Sequence, residues 1–198
     1  MEPQALSGLA LFAIVSTITP GPNNMMVMAS GANYGFRRTI PHMLGIAGGV
    51  TILIMTLGAG LVRVFDAVPG SYTAMRIVSV AYLCYLAYRV ATAAPGPKES
   101  GTATKPLNYI PAAAFLWVNP NAWRMSLAAI AAYAPLPGVV GVAVVASVFA
   151  AVCLPCVSTW AALGEGMSSL LSDPRRIRVF NVSMALLLLA SLYPVLQT

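Results

Sequence analysis

The chain has 198 residues, of which 59% are hydrophobic and only 8% are charged. A soluble domain carries about a quarter charged residues to solvate its surface, so this composition argues against a water-soluble enzyme and against a disordered segment. The 11 Lys and Arg outnumber the 5 Asp and Glu, but they lie between apolar blocks rather than on one soluble face, which argues against a nucleic-acid partner. The lipid bilayer is the expected solvent.

Apolar segments of the length needed to cross a bilayer, about 20 residues, recur along the chain. We predict an all-α fold: a polytopic membrane bundle in which one transmembrane domain covers 1–198. The third helix is the weakest candidate, because Arg76 and Arg89 must both extend toward the interfaces. The six predicted transmembrane helices lie near 5–29, 40–63, 71–91, 107–132, 138–162 and 179–196.

The positions of Lys and Arg favour six helices over five, because short cytoplasmic loops are enriched in these residues. With six helices, one side of the membrane carries only Arg63 and Arg76, while Arg124 lies within helix four. Both termini are therefore predicted on the side of the membrane away from the cytoplasm. The loops on the other side carry Arg37, Arg38, Arg89, Lys98, Lys105, Arg175, Arg176 and Arg178.

A polar stretch rich in Pro and Gly, 94–106, is predicted as a cytoplasmic linker. It divides the chain into halves at 1–93 and 107–198, with three helices each. Since three is odd, two halves of the same fold would have to be inverted relative to each other in the membrane.

Helix one contains Thr19-Pro20-Gly21-Pro22-Asn23-Asn24 just past its midpoint. The two prolines remove the backbone donors for the carbonyls of Ser16 and Ile18, which breaks the helix and starts a new one. Inside a bilayer such a break is tolerated only where protein or a wet cavity surrounds it.

Helix four contains a second break at Asn119-Pro120-Asn121, where Pro120 frees the carbonyl of Leu116. Broken helices at corresponding positions of two halves indicate a transport site near the midplane. The candidate substrate-binding residues are Thr19, Pro20, Gly21, Pro22, Asn23, Asn24, Asn119, Pro120, Trp123 and Arg124.

The chemistry of the two breaks suits a zwitterion. Unpaired N–H groups near Asn23 and Asn24 would favour a carboxylate, because they form the positive end of a half-helix. Freed carbonyls and the amide oxygens of Asn23 or Asn119 would accept from an ammonium group. The competing interpretation is a pair of structural kinks repaired by neighbouring Ser and Thr.

Arg124 lies within the expected apolar layer, where a cation costs about 3 kcal/mol or more. It is expected either to hold a substrate carboxylate or gate the outer exit, or else to extend toward the interface or pair with Asp66. Trp123 follows Asn119 at i, i+4 spacing and would line one wall, although an aromatic stripe is more often simple packing.

Other chemistries have weaker signals. His42 is the only histidine, and we favour an interfacial residue without a role over a proton relay. Cys153 and Cys156 are interpreted as small buried hydrophobic residues rather than redox or metal groups. Asp66 and Glu165 are solvated loop charges or interfacial proton relays. No cofactor and no metal are predicted.

Glycines in helix two have the spacing of close helix packing. The segment Gly45-Ile46-Ala47-Gly48-Gly49 contains a G-x-x-x-G pattern. It would serve packing within the bundle or between subunits of a homo-oligomer.

At these residues the chain resembles the lysine exporter (LysE/RhtB) family of bacterial amino-acid efflux proteins. The resemblance implies secondary-active export of amino acids or their derivatives, driven by proton antiport. It is nearest to the branch of cysteine/O-acetylserine and homoserine/threonine exporters. One departure is Asn121, where the family often has a lysine. The resemblance rests on Thr19-Pro20-Gly21-Pro22-Asn23, Tyr34-Gly35-Phe36-Arg37-Arg38, Ala81-Tyr82-Leu83-Cys84-Tyr85-Leu86, Phe115-Leu116-Trp117-Val118-Asn119-Pro120-Asn121-Ala122-Trp123, Ser158-Thr159-Trp160-Ala161-Ala162-Leu163-Gly164 and Phe180-Asn181.

We therefore predict a transporter rather than an enzyme, with a small amino acid as its partner. Two alternatives remain open from the sequence, namely a translocator of metal or other inorganic ions and a noncatalytic membrane scaffold subunit. The scarcity of carboxylate, thiolate and imidazole groups disfavours the ion translocator.

Overall fold

The computed structural model describes residues 3–93, 106–134 and 138–193, and in these ranges all regular structure is helical. The predicted linker 94–106 lies outside the described residues, except for Pro106. The helices are α1 (Pro3–Ile18), α2 (Pro22–Tyr34), α3 (Phe36–Thr56), a π-helical turn (Leu57–Leu61), α4 (Val62–Ala67), α5 (Ser71–Ala91), α6 (Tyr109–Val118), α7 (Pro120–Tyr133), α8 (Val139–Met167) and α9 (Pro174–Ala190).

Three continuous helices are long and apolar enough to cross a membrane: Phe36–Ala67, Ser71–Ala91 and Val139–Met167. The bent pair Gln4–Ile18 and Pro22–Tyr34 counts as a fourth if it forms one span. These correspond to predicted helices two, three, five and one, so a helical membrane protein is confirmed. The six-helix count and the inverted halves stay predictions, because α6, α7 and α9 are each too short to pass the same test.

The predicted third helix matches α5 from end to end, but several other boundaries differ, among them the end of α2 at Tyr34 instead of 29 and the end of α8 at Met167 instead of 162. Helix two runs on to Ala67, because Gly60 adopts a φ of +103° and the π-helical turn around it bends the helix without ending it. The last helix begins at Pro174, five residues before the predicted start, since the Asp173 side chain accepts from the Arg175 N–H (2.7 Å) and caps it. The predicted start falls too late because Arg175, Arg176 and Arg178 interrupt the apolar sequence in the first turns of this helix.

The α2 helix, which begins at the first helix break, lies between two apolar clusters. Its Val27 belongs to the cluster built around α3 and α8. Its Met26 and Ala29 belong to the cluster formed largely with α5 and α9. The central α8 packs against α1, α2 and α3.

The backbones of α2 and α8 touch at two glycines. A Cβ on Gly31 would lie 2.2 Å from the carbonyl oxygen of Ala161, and a Cβ on Gly164 would lie 2.1 Å from that of Met28. These contacts leave no room for a side chain. The crossing therefore fixes α2, and with it the break at its start, against the 29-residue helix α8.

We predict that Gly164→Ala destabilises the protein by about 1–3 kcal/mol, because the new methyl group must push α2 away from α8. Gly166→Ala is the matched control, since a Cβ at Gly166 has no neighbour within 4 Å. Thermal unfolding of both variants in detergent measures the effect. Equal melting temperatures for Gly164→Ala and wild type would contradict the close approach.

Candidate functional site at the two helix breaks

The first break falls where the prolines predict it. The α1 helix ends at Ile18, α2 begins at Pro22, and the two axes are bent by 58°. Gly21 caps α2 in an extended conformation, without a side-chain hydrogen bond to the helix end. Pro22 takes the first helical position, where its missing N–H is no loss. The N–H groups of Asn23 and Asn24 consequently have no carbonyl of their own helix to bind.

Side chains hold this break together. The Asn24 amide Nδ2 donates to the carbonyls of Thr17 (2.7 Å) and Thr19 (2.8 Å). The Trp160 indole Nε1 on α8 donates to the carbonyl of Ile18 (3.1 Å), which Pro22 leaves without its helical donor. Repair therefore comes from an asparagine and a tryptophan rather than from Ser and Thr. The amide NH2 group of Asn24, a predicted substrate ligand, is already engaged.

The second break has the same form. The α6 helix ends at Val118, and α7 begins with Pro120 at its first position. The side-chain oxygen of Asn119 accepts from the Asn121 N–H (3.0 Å), and its backbone carbonyl accepts from the Ala122 N–H (3.0 Å). Asn119 is therefore the cap that starts the second half-helix, and its side chain is only 5% exposed.

Both new helix N-termini open onto one cavity of about 120 Å³. The structure thus brings together the whole segment 19–24 and Asn119, which lie about a hundred positions apart in the chain. The positive ends of two half-helices converge there. The lining residues are Ser16, Thr17, Thr19, Pro20, Gly21, Pro22, Asn23, Asn24, Ile46, Val50, Leu116, Asn119, Asn121, Ala122, Met125, Cys153 and Val157.

Asn23 is a polar residue of the cavity lining whose side chain has an unpaired acceptor. Its side-chain Oδ1 is buried and accepts no hydrogen bond from any described residue. Leaving such an acceptor unpaired costs about 1–3 kcal/mol. A ligand with an N–H or ammonium group in the cavity would recover that energy.

The rest of the cavity wall carries no formal charge. The described lining contains no Asp, Glu, Lys, Arg or His, and its apolar members include Ile46, Val50 and Val157. A ligand with a net charge would find no counter-ion there, and a buried unpaired charge is strongly disfavoured. The cavity therefore suits a small molecule that is neutral overall, with a polar end and an apolar end.

Three predicted site residues do not line the cavity: Pro120, Trp123 and Arg124. Pro120 makes the break, whereas Trp123 packs its ring 4.5 Å from that of Phe65 and donates its indole N–H to the Trp117 carbonyl (2.9 Å). The Arg124 side chain is exposed. The reason is helical phase, because Ala122 and Met125 face the cavity and turn the two residues between them away.

Asp66, the alternative partner predicted for Arg124, has a hydrogen-bond partner of its own. The carboxylate of Asp66 accepts from the Tyr72 hydroxyl (2.7 Å). Glu165 differs from the predicted loop charge as well, because its Oε1 accepts from the backbone N–H of Phe36 (3.0 Å) at the start of α3. A carboxylate is favoured at that end of a helix.

Several cavity residues were missed by sequence reasoning. Thr17 lies only two residues before the motif, while Met125 and Cys153 gave no signal apart from apolar character. Cys153 contributes a wall of the cavity, which a purely structural interpretation of the cysteines did not anticipate. The described residues contain no group of three or more His, Cys, Asp or Glu side chains that could hold a metal ion.

A membrane bundle in which two proline-broken helices present their N-termini to one uncharged cavity has the architecture of a secondary transporter. The family model described as "LysE type translocator" matches residues 14–191. The chain belongs to this family of amino-acid export transporters, as the motifs indicated.

Curated relatives extend over nearly the whole chain. A cysteine/O-acetylserine efflux protein from Escherichia coli O1:K1 is 29% identical over 196 residues, covering 95% of each chain. The proteins of the same name from Escherichia coli K12 and Shigella sonnei are each 28% identical, again over 95% of each chain. No solved structure matches the chain.

We predict different effects on stability for the two neighbouring asparagines. Asn24→Ala leaves two carbonyls at the break without their donor and lowers the free energy of unfolding by about 1–3 kcal/mol. Asn23→Ala removes a buried acceptor that has no described partner, so the melting temperature stays at or above that of wild type. Thermal unfolding in detergent compares them, and equal destabilisation by both would contradict the assigned roles.

Proposed function

We propose that the protein exports small neutral amino acids or their derivatives from the cytoplasm across the bacterial inner membrane, by proton antiport. The observation that carries this proposal is the single cavity onto which both helix breaks open, with the unpaired Oδ1 of Asn23 in its wall. Membership of the translocator family supports the reaction class, and the curated relatives support amino-acid efflux.

The cavity accounts for recognition of the amino-acid backbone. The substrate carboxylate binds at the N-terminus of α2, where the N–H groups of Asn23 and Asn24 and the helix dipole favour an anion. The substrate ammonium group donates to the Oδ1 of Asn23. Asn119 forms the opposing half of the site through the second helix N-terminus. Asn24 stabilises the broken backbone through the hydrogen bonds of its side chain.

The apolar part of the cavity sets the kind of substrate side chain. Ile46, Val50 and Val157 offer no partner for a second ionised group, so lysine or glutamate would carry an unpaired charge into the bilayer. A small uncharged side chain avoids this penalty. Cysteine and O-acetylserine, which give the relatives their names, both have such side chains and are the substrates we propose to test first.

The six-helix topology is part of this proposal. The α1–α2 pair and the α6–α7 pair would each form one broken span, the first of its half, and α9 would form the sixth span. Both α2 and α7 start with a proline at the first helical position, which is the parallel that supports two inverted halves. Rocking of one half against the other would open the cavity to each side in turn, with both termini in the periplasm.

The two alternatives gain no support from the structure. An ion translocator needs several carboxylates, thiolates or imidazoles around one point, and the cavity wall offers only Cys153. A scaffold role does not explain why the bundle contains a cavity and an unpaired buried acceptor. Replacing Pro20 and Pro22 with alanine would leave a scaffold functional.

We predict that Asn23→Ala raises the KM for export about tenfold or more, because a hydrogen bond to the charged ammonium group is lost. Cells that overproduce the protein are loaded with labelled cysteine or O-acetylserine, and the initial efflux rate is measured against internal concentration. Asn108→Ala is the matched control, since Asn108 is exposed, lies outside the cavity and makes no capping hydrogen bond. Efflux from Asn23→Ala cells equal to wild type at equal expression would refute the binding role.

We predict that Arg124→Gln exports at close to the wild-type rate, because the Arg124 side chain is exposed and lies outside the cavity lining. The same efflux assay measures it, with expression compared by immunoblot. A loss of transport as large as that of Asn23→Ala would return Arg124 to the substrate site.

A further inference from the structure

A second, smaller cavity lies between α2 and α5, with His42 of α3 in its wall. Its volume is about 30 Å³, which exceeds the about 10–15 Å³ that one water molecule needs. Unlike the first cavity, it is lined by titratable and charged side chains. Its polar lining residues are Ser30, Asn33, Tyr34, His42 and Arg89.

His42 is the unusual member of this set. Its side chain is 0% exposed, and neither Nδ1 nor Nε2 has a hydrogen-bond partner among the described residues. The residue expected from sequence to sit at the interface is therefore enclosed in the bundle. Burying both ring nitrogens of an imidazole without hydrogen bonds is unfavourable, so such a group needs an explanation. An ionisable residue within a membrane helix is a candidate functional group by default.

The two cavities are adjacent along the same pair of helices. On α3, His42 lines the second cavity and Ile46 lines the first, one helical turn or about 6 Å further along the axis. On α2, Asn24 lines the first cavity and Met26 lines the second. A change of charge or hydration at His42 therefore acts on the helices that form the substrate cavity.

The second cavity reaches the side of the bundle where the predicted cytoplasmic linker attaches. Ala93, which precedes that linker, and Pro106, its last residue, both contribute to the cavity wall. The basic turn of Arg37 and Arg38 begins the same helix as His42. His42 thus lies between the substrate cavity and the proposed cytoplasmic face, where a proton would leave in exchange for substrate.

The ionisable groups on the surrounding helices are few. Tyr34 on α2 and Arg89 on α5 line the cavity itself. Three other helices pack against α3. On α6, Tyr109 lies over Gly45 and Gly48, and on α7, Arg124 is exposed and Tyr133 contacts Phe12. The ionisable residues of α8 are Cys153, Cys156 and Glu165. None of the carboxylates in this set lines the second cavity, and His42 is the one imidazole among its described lining residues.

We propose that His42 is the proton-binding residue that couples transport to the proton gradient. A proton adds to a free ring nitrogen to give the imidazolium and leaves from the same nitrogen, and no bond to the substrate forms. The charged ring needs water or a partner whereas the neutral ring does not, so protonation favours a conformation in which the second cavity is hydrated. This inference rests on the proposed function, because a protein that exports no amino acid has nothing to couple.

The test uses the purified full chain in proteoliposomes with an acidic lumen, prepared with an affinity tag that contains no histidine. At one proton per substrate, a gradient of about one pH unit supports about tenfold accumulation of labelled, reduced L-cysteine. We expect wild type to accumulate it and His42→Gln to reach only the external concentration. Exchange of internal for external cysteine needs no proton movement and persists in the variant.

A matched control removes a buried polar group other than the imidazole, namely the hydroxyl of Ser126. Ser126 is 0% exposed and its Oγ also lacks a described partner, but it lies outside both cavities. Ser126→Ala should accumulate cysteine as wild type does. Full accumulation by His42→Gln would overturn the inference. Absence of even exchange by wild type, for both cysteine and O-acetylserine, would overturn the proposed function instead.

A second measurement needs no variant. Because the chain has one histidine, labelling with carbon-13 histidine gives a single imidazole signal by nuclear magnetic resonance. In an antiporter the proton and the substrate disfavour each other's binding, so saturating L-cysteine should lower the ratio of protonated to neutral His42 by about tenfold at a fixed pH. A ratio that cysteine leaves unchanged throughout about pH 5 to 8 would overturn the inference, whatever His42→Gln does.

Discussion

Every feature of the site follows from one constraint, which is that a backbone carbonyl or N–H inside a bilayer must find a partner within the protein. Pro20 and Pro22 remove such partners from the first helix, and the fold replaces them selectively. Asn24 and Trp160 satisfy three carbonyls at the break. The N–H groups at the start of α2 lie at a cavity lined by Asn23, whose buried Oδ1 has no described partner, and a zwitterion can complete both.

Residues that act on the backbone could be predicted from sequence, whereas residues that act through their orientation could not. A proline breaks a helix wherever it stands, so both breaks were found, and so was the cavity they imply. The direction of a side chain depends on the rotation of its helix, which is set by packing across the bundle. Arg124 therefore looked like a site residue but faces outward, and His42 looked interfacial but is enclosed. Asn24 could not be told from Asn23 without knowing which carbonyls lie within its reach.

The α2 helix connects these observations. It begins at the substrate cavity, continues along the His42 cavity, and is fixed against α8 where Gly31 and Gly164 bring the two backbones together. A movement of this one helix would alter both cavities, because residues a turn apart on its surface line one and then the other. The proposed coupling of proton and substrate needs no long pathway through the protein. It needs only that α2 and α3 have two arrangements, each favoured by one of the two ligands.

The most direct test of the central claim is a structure of the protein determined by electron cryomicroscopy with a bound small neutral amino acid. We predict that the ligand binds between the two helix breaks, with its carboxylate at the N-terminus of α2 and its ammonium group about 2.7–3.2 Å from the Oδ1 of Asn23. A ligand bound elsewhere in the bundle, or breaks sealed by neighbouring side chains with no space between them, would contradict the claim that the interrupted helices exist to bind substrate.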